Sequence, residues 1–319
     1  MVPESVGIDI GKEKIDVAVL FSDETTIGRT FSNTGQGITE TVRFLKKQKT
    51  ADTVPCVLEA TGDYHLLPAL MLSQAGYRVN CINPLITKKY QRSSIRNAKT
   101  DTIDAIRLAH IGLLESDLPA FKASKTAIAA RKLVASLAKM ERMKQQLSAH
   151  VKQLRQAEET LDATFDFSLY ETLLETYERQ IISLRKTLCT TLSDEERAFA
   201  ERTRGISENQ MAVLSCLLAG KTFTDRDGLV AFVGLDVMPR SSGMWQGRGR
   251  ISKRGNAYTR KVLFQIAWGL KVHNPQFQEY YLRLKNKQGK HYTTCLIAIA
   301  RKFLRHYYAA VLQKTPVPD

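Results

Sequence analysis

Four acids in the first third of this chain, Asp9, Glu59, Asp101 and Asp104, have the types and placing that metal-assisted chemistry on a phosphodiester needs. Asp9 ends the apolar run Val6-Gly7-Ile8-Asp9, ahead of Gly11 and the alternating segment Ile15-Asp16-Val17-Ala18-Val19-Leu20, which sets it at a strand end beside a hairpin. Glu59 closes Val54-Pro55-Cys56-Val57-Leu58-Glu59, just before the turn signal Thr61-Gly62-Asp63. The segment from Lys99 to Ala105 opens a helix, and residues three apart on a helix share a face, so Asp101 and Asp104 can point together. Two ionised carboxylates roughly 4 Å apart repel by about 4 kcal/mol at an effective dielectric near ~20. Four converging acids therefore need a counter-charge. Mg²⁺ (or Mn²⁺) suits them, because it takes a few carboxylates together with phosphate oxygens and can activate an attacking oxygen while stabilising a leaving one. Singly, an acid at a strand end or helix start is more often a cap or a solvated residue. The chemistry lies in the set.

The elements that must hold these acids alternate over residues 1–120. Strands are expected around Ser5–Asp9, Ile15–Phe21 and Ile27–Ser32, then a helix from about Ile38 to Lys47 and the Val54–Glu59 strand. A helix near Tyr64–Ala75, a strand at Tyr77–Asn83 and a helix after Pro84 follow. A hairpin meander feeding strand–helix–strand units is the order of ribonuclease-H-like folds, in which acids gather at neighbouring strand ends and on a following helix. Over residues 121–198 the pattern changes. Leu133, Leu137, Met140, Met143, Leu147, Val151 and Leu154 recur every three or four residues, as do Tyr170, Leu174, Tyr177, Ile181, Leu184 and Leu188. Two long helices with a heptad-like seam are indicated, either folded on their own domain or forming a coiled coil between copies. Residues 199–319 make a third, mostly helical region.

The net charge of +15 and a pI near 9.6 point to a polyanionic partner, nucleic acid first. There is no long uncharged apolar segment, secretory signal or lipidation motif, so no membrane partner and a cytoplasmic place of action are expected. Cys56, Cys81, Cys189, Cys216 and Cys295 show no C-x-x-C or Cys/His metal spacing, which fits reduced thiols and gives zinc no support.

The positive charge is concentrated. No acid lies between Asp236 and Glu279, while Arg240, Arg248, Arg250, Lys253, Arg254, Arg260, Lys261 and Lys271 are all basic. Within this stretch, Arg240-Ser241-Ser242-Gly243-Met244-Trp245-Gln246-Gly247-Arg248-Gly249-Arg250-Ile251-Ser252-Lys253-Arg254-Gly255-Asn256 combines glycines, which admit a close backbone approach, with arginines that neutralise phosphate bidentately. Trp245 could stack on a base or pack on the domain. Arg240, Arg248, Arg250, Lys253 and Arg254 are the expected nucleic-acid contacts. Taken alone, the segment also reads as a flexible basic loop that binds nucleic acid and catalyses nothing.

These blocks together resemble the DEDD-type transposases of the insertion-sequence family numbered one hundred and ten, which includes a pilin-gene invertase and bridge-RNA-guided recombinases. The resemblance covers nearly the whole chain. It rests on Gly7-Ile8-Asp9 with Lys12-Glu13-Lys14-Ile15-Asp16, Glu59-Ala60-Thr61-Gly62 with Tyr64, Ile82-Asn83-Pro84, and Lys99-Thr100-Asp101-Thr102-Ile103-Asp104-Ala105. Further along it rests on Phe232-Val233-Gly234-Leu235, the Ser-Gly dipeptide and Ile251-Ser252-Lys253-Arg254-Gly255-Asn256. It implies a RuvC-like N-terminal domain whose four acids fall on Asp9, Glu59, Asp101 and Asp104, a coiled-coil insertion, and a C-terminal transposase domain with a nucleophilic serine. That serine falls on Ser241 when the segment is aligned without gaps back from Ile251, and on Ser242 when the Ser-Gly dipeptide is the anchor; the ungapped placing is preferred. The resemblance further implies double-stranded donor and target DNA, a non-coding bridge RNA, a homo-oligomer (dimer or tetramer) with composite sites, and action at the bacterial nucleoid. One departure is Arg204-Gly205-Ile206-Ser207, where members often carry Pro-Gly-Ile-Gly.

Three other classes compete. A RuvC-like nuclease would hydrolyse branched DNA with the four acids and water. A sugar-kinase or actin-like ATPase shares the look of Gly7-Ile8-Asp9-Ile10-Gly11 but should carry a second Asp-x-Gly-rich hairpin, which this chain lacks. An architectural DNA-binding protein would need only the basic segment and the long helices.

Overall fold

The computed structural model describes residues 1–60, 62–91, 101–115, 118, 120–122, 124–242 and 245–313, with the side chains of 85, 86, 89, 91, 101, 102, 239–242 and 245–248 outside the description. It contains two compact units, Met1–Ser124 and Lys125–Asp319.

The first unit is a mixed α/β layer. Strands β1 (Pro3–Ile10), β2 (Lys14–Phe21), β3 (Thr26–Ser32), β4 (Pro55–Glu59) and β5 (Arg78–Ile82) form one sheet in the order β3-β2-β1-β4-β5. β2 runs antiparallel to both neighbours, whereas β1, β4 and β5 are mutually parallel. Strand alternation divides the residues between two faces. Val6, Ile8, Ile15, Val17, Cys56 and Leu58 join one core cluster with Ile38 and Leu45 of α1 (Gly35–Lys47) and Leu72 of α2 (Leu66–Gln74). Thr34 caps α1, its side chain accepting from the Gly37 amide at 3.2 Å.

The opposite face carries Gly7, Asp9, Val57, Glu59 and Ile82. Val57 and Ile82 pack there against Leu108 and Ile111 of α4 (Asp101–Leu114). Gly7 sets how close that helix comes. A Cβ at this position would lie 1.9 Å from the Ala105 carbonyl oxygen and 2.4 Å from the Ala109 nitrogen, so the α4 backbone rests directly on the β1 backbone. Only glycine permits this approach. α3 (Pro84–Gln91) follows β5 and completes the unit's described elements.

The second unit is mainly helical. The seam expected over the long helices closes within the chain: α5 (Lys125–Leu161) and α6 (Ser168–Cys189) form an antiparallel pair laced by Arg155–Glu171 at 2.9 Å, Arg185–Glu141 at 2.9 Å and Lys144–Glu178. Their base belongs to the unit's own core. Val134, Leu137, Ile181 and Leu188 pack with Met211 and Leu214 of α8 (Glu208–Leu218), Leu263 and Ile266 of α10 (Ala257–His273), and Phe303 and Tyr307 of α12 (Tyr292–Tyr307). Also here are α7 (Asp194–Arg202), α9 (Arg226–Phe232), α11 (Pro275–Leu282) and a π-helical turn, Arg283–Lys287.

The Gly/Arg segment is a hairpin, not a flexible loop. β6 (Val237–Ser242) pairs antiparallel with β7 (Trp245–Ile251), with Val237 opposite Ile251 and Ser241 opposite Gln246. Its base is clasped by the residues on either side. The Lys253 amide donates to the Gly234 carbonyl at 3.1 Å, the Ser252 amide to the Asp236 carbonyl at 3.0 Å, and the Ser252 hydroxyl to the Asp236 carboxylate. Gly234 (φ +74°) and Gly255 leave the two flanks no room for a Cβ. Backbone pairing therefore fixes a segment whose composition alone favours flexibility.

Candidate functional site

Asp9 is the penultimate residue of β1 and Glu59 the last residue of β4, so parallel pairing of these neighbours brings both acids to the same, C-terminal, edge of the sheet. Asp104 reaches that edge from the first turn of α4, one residue before the Ala105 carbonyl that sits against Gly7. Asp9, Glu59 and Asp104 line one pocket of about 210 Å³ together with Thr87 and Lys88 of α3 and Arg107 of α4. Asp101 opens α4, three residues from Asp104 on the same helix; its side chain lies outside the described residues.

Glu59 Oε2 accepts from the Thr87 hydroxyl at 2.5 Å, and Asp104 Oδ1 accepts from Arg107 Nη1 at 2.8 Å. Among the described residues no three ligating side chains stand close enough to enclose an ion. The donor set nevertheless has the right chemistry. Carboxylate oxygens are the ligands of hard divalent cations, and Asp104 is tied to the pocket's Arg107 by an ion pair that a cation could replace. Asp16 has another role. It lies opposite Asp9 in the β1–β2 register, but it is buried, accepts from the Thr30 hydroxyl at 2.5 Å and has Lys14 at 3.8 Å.

Reasoning from sequence missed Thr87, Lys88 and Arg107. The signal was there in helical spacing: Pro84, Thr87 and Lys88 stand three and four apart directly after a strand, and Arg107 stands three after Asp104. Nothing in the spacing says which face of α3 meets the pocket.

In the second unit Ser241 and Ser242 end β6, and Arg240 faces Gly247 across the hairpin; the side chains of Arg240, Ser241, Ser242 and Arg248 lie outside the described residues. Arg250, Lys253 and Arg254 are exposed at the end of β7 and just beyond it. Lys253 takes a left-handed backbone (φ 55°) where the chain turns from the hairpin towards α10. Asn256 caps that helix, accepting from the Tyr258 amide at 2.8 Å.

A family model of DEDD transposases of the IS110 type, described as a transposase, matches residues 6–166, and one described as the transposase IS116/IS110/IS902 family matches residues 198–282. The chain belongs to the IS110 family of transposases. Curated relatives agree over nearly the full length. The transposase is 28% identical over 325 residues to the pilin gene-inverting proteins of Moraxella bovis and of Moraxella lacunata, covering 98% of this chain and 96% of each relative. It is thus an enzyme of DNA transposition and recombination. The first matched region holds all four acids; the second holds the β6–β7 hairpin and its clasp. No helix among the described residues is long and apolar enough to cross a membrane.

Proposed function

We propose that this transposase cuts and rejoins DNA through a serine-linked intermediate, with Asp9, Glu59, Asp101 and Asp104 as the acids of a ribonuclease-H-like, RuvC-type site and Ser241 as the nucleophile. The observation that carries the reading is the gathering of Asp9, Glu59 and Asp104 from three separate elements into one pocket. The strand order, with β2 alone reversed, supports the ribonuclease-H-like assignment.

Asp9, Glu59, Asp101 and Asp104 would hold Mg²⁺ or Mn²⁺, which when bound supplies positive charge to the non-bridging oxygens of the phosphate. A serine hydroxyl is a poor nucleophile at neutral pH and must lose its proton as it attacks. A carboxylate of the pocket takes that proton while Ser241 Oγ bonds to phosphorus and the bond to the leaving sugar oxygen breaks, that oxygen taking a proton from water and leaving as a DNA hydroxyl. The phosphoserine link keeps the energy of the phosphodiester, so rejoining by a DNA hydroxyl needs no ATP. Arg240, Arg248, Arg250, Lys253 and Arg254 offset the charge of the transition state and grip the backbone. Acids and serine lie in different compact units, which fits composite sites shared between copies of a homo-oligomer. The exposed Phe165, Leu169 and Leu173 near the tip of the α5–α6 pair support an apolar contact between such copies. Relatives named for inverting a pilin gene perform recombination, not simple cutting, which supports rejoining over hydrolysis. Donor and target DNA are chosen by a bridge RNA, in keeping with the excess of cationic surface.

The acids are tested by Asp101→Asn and Asp104→Asn. In the wild type, Mg²⁺ should raise the melting temperature and support DNA cleavage; at a concentration about 100 times Kd the expected stabilisation is about 2.7 kcal/mol. Each variant should lose cleavage and most of the Mg²⁺ response, whereas Asp16→Asn should keep the Mg²⁺ response. Wild-type cleavage in Asp104→Asn would overturn the reading.

A further inference from the structure

We propose that the second unit carries another nucleic-acid site, remote in sequence from the hairpin: an open cleft of about 670 Å³ that holds a phosphodiester backbone. The inference rests on the reading that this chain acts on nucleic acid. Four permanent cations from three stretches of chain line the cleft: Arg226 at the start of α9, Arg283 on the π-helical turn, and Lys302 and Arg305 on α12. No carboxylate lines it among the described residues. The acid bound to this cluster is Asp227, which takes Arg305 at 2.7 Å. Among the described residues no acid is within ion-pair distance of Arg226, Arg283 or Lys302.

Two of these cations are instead held over aromatic rings. Lys302 Nζ stands 4.9 Å from the Tyr280 ring centre and 5.2 Å from that of Phe277, and the Arg283 guanidinium stands 5.2 Å from the Tyr280 ring. A cation over a π face is positioned without being neutralised, so its N–H groups stay available to an incoming anion. Four cations set against the Asp227 carboxylate still repel one another, and a folded chain keeps such a group at a cost that a polyanion removes. Guanidinium forks match phosphate oxygens bidentately, and an open cleft admits a continuous backbone. RNA and DNA share this backbone.

The test is fluorescence anisotropy of the full chain against a short single-stranded RNA and a duplex DNA of the same sequence over a series of KCl concentrations. Each lost phosphate contact lowers the slope of log K against log salt by roughly 0.7 for single strands and roughly 0.9 for duplex, so Arg283→Gln with Lys302→Gln should lower it by roughly 1.4 or 1.8 in whichever arm uses the cleft. A fall in the RNA arm alone assigns the cleft to RNA, a fall in the DNA arm alone to DNA, and a fall in both to either backbone. Lys302→Arg should keep the wild-type slope, and the double variant should keep its melting temperature. Arg250→Gln with Arg254→Gln reads the hairpin separately. Wild-type slopes in both arms for the cleft variant, with the hairpin variant reduced, would overturn the cleft and leave the functional reading standing; a wild-type protein that binds neither probe would overturn both.

Discussion

Replacing Gly7 by alanine tests how the acids are brought together. The added Cβ would start 1.9 Å from the Ala105 carbonyl oxygen, 2.4 Å from the Ala109 nitrogen and 2.9 Å from Leu108 Cβ, and the first two are backbone atoms that no rotamer change can move. Restoring ordinary contact at about 3.4 Å needs a shift of about 1.5 Å between α4 and β1. Overpacking of this kind costs about 1–3 kcal/mol, which for a unit of this size lowers the melting temperature by roughly 3–12 °C. The same shift moves Asp104 and the start of α4 away from Asp9. A misplacement of about 1 Å at reacting groups can lower a rate about 100-fold, so Mg²⁺-dependent cleavage should fall at least that far at a temperature where the variant is fully folded. Gly35→Ala is the control, because a Cβ there meets nothing within 4 Å. Thermal melts by circular dichroism and single-turnover cleavage supply the two readings. Wild-type melting and cleavage in Gly7→Ala would refute the claim that close backbone contact positions the acids.

Two further outcomes concern the second unit. Burial pushes the Glu141 carboxyl up, but Lys261 at 2.8 Å and Arg185 at 2.9 Å outweigh it and hold the group below its ordinary value of 4.5. A carboxyl depressed in the folded state gives stability that is present above its unfolded value, so Glu141→Gln should melt lower at pH 7, with the gap to wild type closing as pH falls below about 4.5; a pH-independent gap would contradict this. The Tyr307 hydroxyl donates to Glu196 Oε1 at 2.7 Å, with both residues buried, so Tyr307→Phe should cost about 1–3 kcal/mol in urea unfolding by leaving that carboxylate short of a donor, and a neutral result would show another group supplying it.

Much of the first unit was legible because its central strands, covered on both faces, read as short apolar runs that end in an acid or a turn. Val6, Ile8, Ile15 and Val17 announce a face directly, and the strand-end acids follow from it. Gly7 stands out in sequence only as part of Gly7-Ile8-Asp9, because its reason, the seat for α4, depends on a partner about one hundred residues away. Thr87 and Arg107 escaped notice because a helix that is polar on several sides does not declare which side meets a pocket. The long helices were plain from their seam, but a heptad pattern is the same whether its partner is in the chain or in another copy; the Glu141–Arg185 pair and the packing of Leu137 and Ile181 place it within the chain. The β6–β7 hairpin was the hardest to read. Glycine and arginine hide the period of two, and its pairing depends on the clasp between Gly234 and Lys253.

The most direct test of the proposed chemistry is denaturing gel electrophoresis of the protein after reaction with labelled DNA and Mg²⁺. A covalent protein–DNA band is expected in the wild type and should be lost in Ser241→Ala, while that variant binds DNA and RNA as before because one hydroxyl adds little to a surface governed by Lys and Arg. Ser242→Ala should retain the band; loss there, with retention in Ser241→Ala, would move the nucleophile by one residue. Wild-type cleavage without any adduct, undiminished when Ser241 and Ser242 are both alanine, would contradict the account and make water the nucleophile of a hydrolytic nuclease.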